Sequence, residues 1–228
     1  MEQTCESIIQ QKYSNYEWIV VDGASTDSTL DILDRYHERI TTLVTEADDG
    51  IYDAMNKGIE LSRGKYLVFM NGGDRFSSPE VLDWVAQAPQ ADLIYGQLEL
   101  NEPGGELLSP PEKIRCDYLI KHMVHHQAAF FRRSLFGRFG LYHTSYRIAA
   151  DYEFFIRILL KGKISHHYIA KPIAIFNYGG ISRNQNYRLL RKRENHLIRL
   201  RNFPRYRFTA KAWRQCIRNF LGVGRNPR

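Results

Sequence analysis

Apolar residues run along this chain in short blocks, and their spacing alternates between two kinds. EWIVVDG (17–23), TTLVTE (41–46) and KYLVFM (65–70) are compact, β-branched or aromatic runs, the pattern of strands covered on both faces. Between them, STDSTLDILDRYHER offers Ser25, Thr26 and Asp27 as caps and puts Leu30 and Leu33 on one helical face. GIYDAMNKGIELSRG places Ile51, Met55 and Ile59 on a helical stripe, with Gly64 as its stop. Further on, PEVLDWVAQ predicts a helix, ADLIYGQLEL a strand, NEPGGE a hairpin-like turn and HHQAAFFRRSLF a strand running into a short helix. DYEFFIRILLKG predicts a helix with a broad apolar face (Phe154, Phe155, Ile158, Leu159), and KISHHYIAKPIAIFNYGG one or two closing strands. Strand and helix alternate over short links, which predicts βαβ units and a mostly parallel sheet. The chain opens on a helical stretch, EQTCESIIQQ, where such a sheet normally starts with a strand.

Two predicted strands end in an acid. Asp22 closes WIVVDG, and Asp74 follows the apolar run and Asn71-Gly72-Gly73. Asn, Gly and Asp are ordinary turn residues, so a turn or helix cap is one reading of each acid. The other is a ligand site, because open α/β sheets bind at the carboxyl ends of their strands. Two converging acids need a cation or donors, and Mg²⁺ or Mn²⁺ uses few carboxylates together with phosphate oxygens. Gly72 and Gly73 carry no side chain to keep a bulky ligand from the backbone. No GxGxxG or GxxxxGK[ST] loop is present, which removes support from dinucleotide and P-loop readings. Asp151 opens the DYEFF helix, where an acid is also a good cap. His122, His125 and His126 have helical spacing but lack the Cys or further ligands of a zinc site.

At 228 residues the chain suits one domain with an appended segment. No run approaches a membrane span, and three scattered cysteines without CxxC spacing fit a reducing compartment. The net charge of +7 conceals a division. Residues 183–228 hold fourteen Lys or Arg and one acid, Glu194, a balance of +13; the rest holds eighteen bases and twenty-four acids, a balance of −6. The boundaries drawn are therefore 1–182 for the acidic domain and 183–228 for a basic extension. In the extension Trp213, Ile217, Phe220 and Leu221 share a helical stripe, with Lys211, Arg214 and Arg218 elsewhere around it. That pattern suits an anionic membrane surface. A solvated helix packed on the domain and a nucleic-acid tail are the other readings.

The ordered segments WIVVDGASTDSTLDIL, EADDGIYDAMNKGIELSRGKYLVFMNGGDR, HHQAAFFRRSLF and IAADYEFFIRIL resemble the family 2 glycosyltransferases, whose fold is the Rossmann-like GT-A type. The resemblance runs from about Thr4 to Ser182 and is closest to surface-polysaccharide members with a GIYDAMNKGI segment. It implies an inverting transfer of a hexosyl or deoxyhexosyl group from a nucleotide-sugar donor to a saccharide or polyprenyl-linked acceptor. It also implies that Asp151 is the general base and that Asp74 holds Mg²⁺ or Mn²⁺ against the donor diphosphate. Asp22, Asp53, Asn56, Gly72, Gly73 and His126 are then donor-side residues. Asp48 and Asp49 either face the nucleotide or favour the helix that follows them.

Two departures qualify the resemblance. Gly23 and Ala24 replace the second acid and the glycine of the family's first strand-end motif, and Gly73 replaces the first acid of its metal-binding pair. The family's first strand, with its Thr/Ser-Tyr-Asn loop, has no counterpart, which is expected to reflect either a start codon set too late or a truncated product; a late start is preferred. Pathways of this kind place the enzyme in the cytoplasm against the inner face of the cell membrane, with no nucleic acid as partner. The rival expectations are a non-catalytic sugar-nucleotide binder or scaffold, and a nucleic-acid binder acting through the tail.

Overall fold

The computed structural model describes residues 1–102, 104–177, 185–209 and 213–214. Its elements, in chain order, are α1 (Glu2–Ile9), β1 (Ile19–Asp22), α2 (Thr29–Asp34), β2 (Thr42–Thr45), α3 (Ile51–Leu61), β3 (Tyr66–Leu67), β4 (Arg75–Phe76) and α4 (Val81–Gln87). There follow β5 (Leu93–Leu100), β6 (Leu107–Leu108), α5 (Cys116–Lys121), β7 (Ala129–Arg132), α6 (Ser134–Phe139), α7 (Ala150–Lys161), β8 (His166–Phe176) and α8 (Arg188–Asn202).

The α/β class holds, but the mostly parallel sheet is corrected to a mixed one. β1 and β2 pair in parallel as a two-stranded unit. The main sheet runs β3-β7-β5-β8-β4, with β6 beside β5. In it only β5 and β8 are parallel; β3–β7, β5–β7, β4–β8 and β5–β6 are antiparallel. The sequence pattern hides this because the sheet is covered on both sides. Leu93, Tyr95 and Phe131 face one apolar cluster, and Ile94, Leu98 and Phe130 the other. A strand buried on both faces shows the same unbroken apolar run whichever way its neighbours point.

The apolar run 66–70 pairs only at Tyr66 and Leu67; the rest leaves the sheet to carry the Asn71–Asp74 loop. Gly64 does not end α3 as expected. The helix stops at Leu61, with the Ser62 hydroxyl donating to Ile59 O, and Glu17 Oε1 accepts the N–H groups of Arg63 and Gly64. The hairpin after β5 is present, and the closing segment forms one strand, β8.

α7 is central. Ala150 through Ile158 are all buried, and Phe154 stacks on Phe136 with ring centroids 4.7 Å apart. A helix apolar around most of its circumference belongs inside a domain, and this one lies between sheet and helices. α8 and the turn after it close over it: Ile198, Phe203 and Tyr206 join the cluster that contains Phe154 and Phe155. The first part of the basic segment thus packs on the domain. Of the stripe expected in its second part, Ile217, Phe220 and Leu221 lie outside the described residues.

Candidate active site

A short 3-10 turn, His126–Ala128, precedes β7 and connects two loops that are distant in sequence. His126 Nδ1 lies 2.9 Å from Asp151 Oδ2, and its Nε2 lies 3.0 Å from Asn71 Nδ2. With the Asn71 amide donating, Nε2 is the acceptor and the ring proton sits on Nδ1, donated to Asp151. The next residue, Gln127, donates from Nε2 to Asp74 Oδ2 at 3.0 Å. Two adjacent side chains therefore hold one carboxylate each and tie Asn71–Asp74 to the start of α7.

Asp151 lies in the first turn of α7 and is 6% exposed. Its Oδ1 accepts the Tyr52 hydroxyl at 2.8 Å and the Tyr152 N–H at 2.8 Å. Burial alone would raise its pKa, but the hydrogen bonds from His126, the Tyr52 hydroxyl and the Tyr152 N–H outweigh burial and hold it below the ordinary value. The Tyr52 phenol is pushed well up by burial and by the Asp151 charge, so it stays protonated and donates. A carboxylate kept ionised in a buried network can accept a proton from an incoming hydroxyl.

Asp74 is 4% exposed, and its Oδ1 accepts the Asn177 N–H at 2.9 Å. Burial raises its pKa, against the Asn177 and Gln127 hydrogen bonds and the nearby His126. Both oxygens thus face protein donors. Gly73, at φ +100°, donates its N–H to Thr4 Oγ1 at 2.9 Å, and a Cβ there would stand 2.9 Å from Asn177 Nδ2. Gly72 is approached by Met1, whose Cε would be 3.1 Å from an added Cβ. The space left by the two glycines is taken by the chain's own side chains.

The other expected site residues make no hydrogen bond to this cluster among the described residues. Asp22 is buried at the end of β1, and its Oδ2 accepts the Ser25 N–H at 2.9 Å. No hydrogen bond or ion pair joins it to Asp74 or Asp151 among the described residues. Asp53 accepts the Asp49 N–H and faces Lys57 at 3.3 Å, while Asp48 caps the Gly50 N–H ahead of α3. Asn56 uses both polar ends on the backbone of Tyr142, donating to its carbonyl and accepting its N–H, each at 2.9 Å. His122 lies past the end of α5 and stacks on Tyr118, so the three histidines share no helical face.

A divalent cation needs oxygen ligands that remain free to bind it. Asp74 offers one enclosed carboxylate, glycines fill the neighbouring positions, and no group of three or more His, Cys, Asp or Glu gathers as a metal site among the described residues. This donor set does not fit a cation held by the protein alone.

The site also uses residues that the sequence did not single out. Tyr52 sits on the α3 stripe with Met55 and Ile59, so its hydroxyl was hidden in an apolar pattern. Gln127 lies inside the HHQAAFFRRSLF segment, where its neighbour His126 is the residue with recognisable chemistry, and Asn177 is a polar residue just past the end of β8. Glu194, the one acid among the bases of 183–228, is 5% exposed. Its Oε1 accepts the Arg147 N–H at 2.9 Å, and its Oε2 accepts those of Ile148 and Ala149 at 3.0 Å. Hydrogen bonds to a charged group contribute about 1.5–3 kcal/mol each, which offsets the cost of burying this carboxylate.

The sequence profile of the glycosyl transferase family 2 matches residues 1–140, more than half of the chain. The chain belongs to that family. A "PGL/p-HBAD biosynthesis glycosyltransferase" of Mycobacterium bovis (strain BCG / Pasteur 1173P2) is 33% identical over 185 residues, covering 78% of this chain and 72% of the relative. Among solved structures, S. aureus TarS 1-349 in complex with UDP-GlcNAc superposes with a TM-score of 0.68 at 15% identity, over 88% of this chain and 62% of that one. The mannosyltransferase PcManGT from Pyrobaculum calidifontis, in complex with GDP-Man and Mn²⁺, gives 0.61 at 20% identity, over 99% and 61%. At such identities the likeness shows the fold, which is the GT-A architecture expected from the motifs. The chain spans about three fifths of the length of these two solved chains.

Proposed function

We propose that this family 2 glycosyltransferase transfers a sugar from a nucleoside-diphosphate donor with inversion, and that Asp151 is its general base. The observation that carries this reading is the Asn71–His126–Asp151–Tyr52 chain, which keeps one buried carboxylate ionised at the head of a helix. Asp151 takes the proton of the acceptor hydroxyl as that oxygen bonds to the anomeric carbon. The bond from that carbon to the diphosphate breaks, and the nucleoside diphosphate leaves with the electron pair. One displacement on the face opposite the leaving group inverts the centre. His126 holds the carboxylate in place and Tyr52 stabilises its charge. Asp74 would hold Mg²⁺ or Mn²⁺ only together with the donor's own diphosphate oxygens, since both of its carboxylate oxygens accept protein N–H groups.

Of the donor-side residues Asp22, Asp53 and Asn56, Asp22 is the one the geometry favours. Asn56 and Asp53 already have protein partners, while among the described residues Asp22 accepts one N–H, from Ser25, on Oδ2 alone. The proposed acceptor is a saccharide or lipid-linked saccharide of surface-polysaccharide assembly. The division of the chain into a catalytic part, 1–182, and a basic part, 183–228, belongs to the same proposal. No helix among the described residues is long and apolar enough to cross a membrane. Phe208, 85% exposed, and Trp213, 64% exposed, lie among the exposed Arg205, Arg207 and Arg214, which supports attachment to an anionic lipid surface at the cytoplasmic face.

Trial reactions with UDP- and GDP-sugars test the chemistry, with the anomeric configuration of the product read by NMR. Inversion supports the single displacement, and retention overturns it. Co-sedimentation with anionic vesicles and retention on DNA, both at about 150 mM salt, separate the lipid from the nucleic-acid reading of the tail.

A further inference from the structure

We infer that Glu194 is a positioning residue for Asp151, so that the basic carboxyl-terminal helix is a working part of the active site. The inference rests on the reading of Asp151 as the base.

Three contacts carry it. Glu194 gathers three consecutive backbone N–H groups, Arg147 to Ala149, and Ala149 is the residue before α7. Arg199 Nε donates to the Tyr152 hydroxyl at 3.1 Å and its guanidinium lies over the Tyr152 ring, while that hydroxyl donates to Leu119 O. Arg201 donates to the Tyr146 hydroxyl at 2.7 Å. α8 thus holds positions 146, 147–149 and 152, on both sides of Asp151 in sequence.

The chemistry of Glu194 suits this task. A carboxylate has acceptor capacity for three N–H groups on two oxygens, and it offers no donor of its own. A glutamine would turn an NH₂ toward at least one of those N–H groups, donor against donor. The carboxylate also lies at the positive end of the α7 dipole, where negative charge is favoured. The backbone path into α7 is therefore fixed before Asp151 meets His126 and Tyr52. A base misplaced by a fraction of an ångström no longer lines up with the acceptor hydroxyl, although the donor still binds.

The test is Glu194→Gln in the full chain. Turnover is measured with UDP-GlcNAc and GDP-mannose as trial donors, and nucleotide binding with UDP and GDP by calorimetry. The His126 ring N–H resonance is followed by ¹⁵N NMR and assigned by its loss in His126→Gln; it needs no substrate. The expected result is nucleotide affinity within about twofold of the parent, kcat down about tenfold or more, and a shifted or lost His126 ring proton. A folded Glu194→Gln chain with unchanged kcat and an unchanged ring proton overturns the inference; where neither donor turns over, the ring proton alone decides. Should Glu194→Gln fail to fold, Arg199→Met, which keeps an apolar stem over Tyr152 and removes the donor, is read in the same way: an unmoved ring proton and unmoved kcat overturn the inference. Full turnover in Asp151→Asn, by contrast, sinks the base assignment and leaves the ring-proton result standing.

Discussion

His126 Nδ1 stands 2.9 Å from Asp151 Oδ2, joining a 3-10 turn to a helix that begins 24 residues later in the chain. The bond aims one oxygen of the carboxylate, and the Tyr52 hydroxyl and the Tyr152 N–H hold the other. Asp151→Asn is expected to lower kcat by a factor of about 10² or more while leaving nucleotide affinity near that of the parent. Product formation and calorimetry measure the two separately, and a variant with parental kcat refutes the role.

Tyr52→Phe removes one donor from the ionised carboxylate without opening a large cavity. Stability is expected to fall by about 1–3 kcal/mol. With fewer donors to its charged form, Asp151 becomes harder to ionise, and the acid limb of kcat/KM moves to higher pH. An acid limb that stays in place, or moves down, contradicts the network.

The two buried acids act in opposite directions on stability. Asp151 has a folded pKa below its unfolded value, so its contribution is present above the ordinary carboxylate range and is lost as pH falls through the folded pKa. Asp74 has a raised folded pKa; its ionisation opposes folding above that pKa, and the opposition is gone below the unfolded one. Urea midpoints between about pH 3 and about pH 6 should therefore fall less toward acid in Asp151→Asn than in the parent. Equal acid slopes would show that the Asp151 network does not contribute.

Asn56→Ala separates a donor contact from a support. Its amide pairs with both backbone groups of Tyr142, so the expected outcome is a stability loss of about 1–3 kcal/mol with UDP and GDP affinities little changed. A large affinity loss at parental stability would instead assign Asn56 to the donor.

Mn²⁺ added to the protein alone is expected to show no saturable site in calorimetry or electron paramagnetic resonance, because both Asp74 oxygens already accept protein N–H groups. A tight site in the free protein would mean that the Asp74 enclosure opens readily. Repeating the titration with UDP-GlcNAc present reveals whether the donor brings the remaining oxygens.

Much of this architecture was legible in the chain. The run 19–22, the α3 stripe and the crowded apolar face of α7 became elements close to where their periodicity placed them. Strand direction was not legible, because both faces of the sheet are covered and period-2 alternation has no solvent side to mark it. Asp74, His126 and Asp151 stood out as chemistry beside strand or helix ends, and the structure links them through Gln127. Tyr52 did not stand out, since a tyrosine on a buried stripe looks like packing until its hydroxyl has a partner. Asn56 pointed the other way: a polar residue in a recognisable segment suggested ligand, and the folded chain uses it to hold a loop. Glu194 was counted only as the exception in a charge balance, although an isolated acid in a basic helix is the natural residue to collect backbone N–H groups.

Because His126 and Gln127 point to different acids only two residues before β7, their directions are inherited from the β7–β5 pairing of Ala129 with Tyr95. Adding or deleting a single residue between Gln127 and Ala129 would rotate both side chains off their targets at once, a failure that no compensating point change at Asp74 or Asp151 could mend. The three residues before the strand therefore leave almost no room for a change of length.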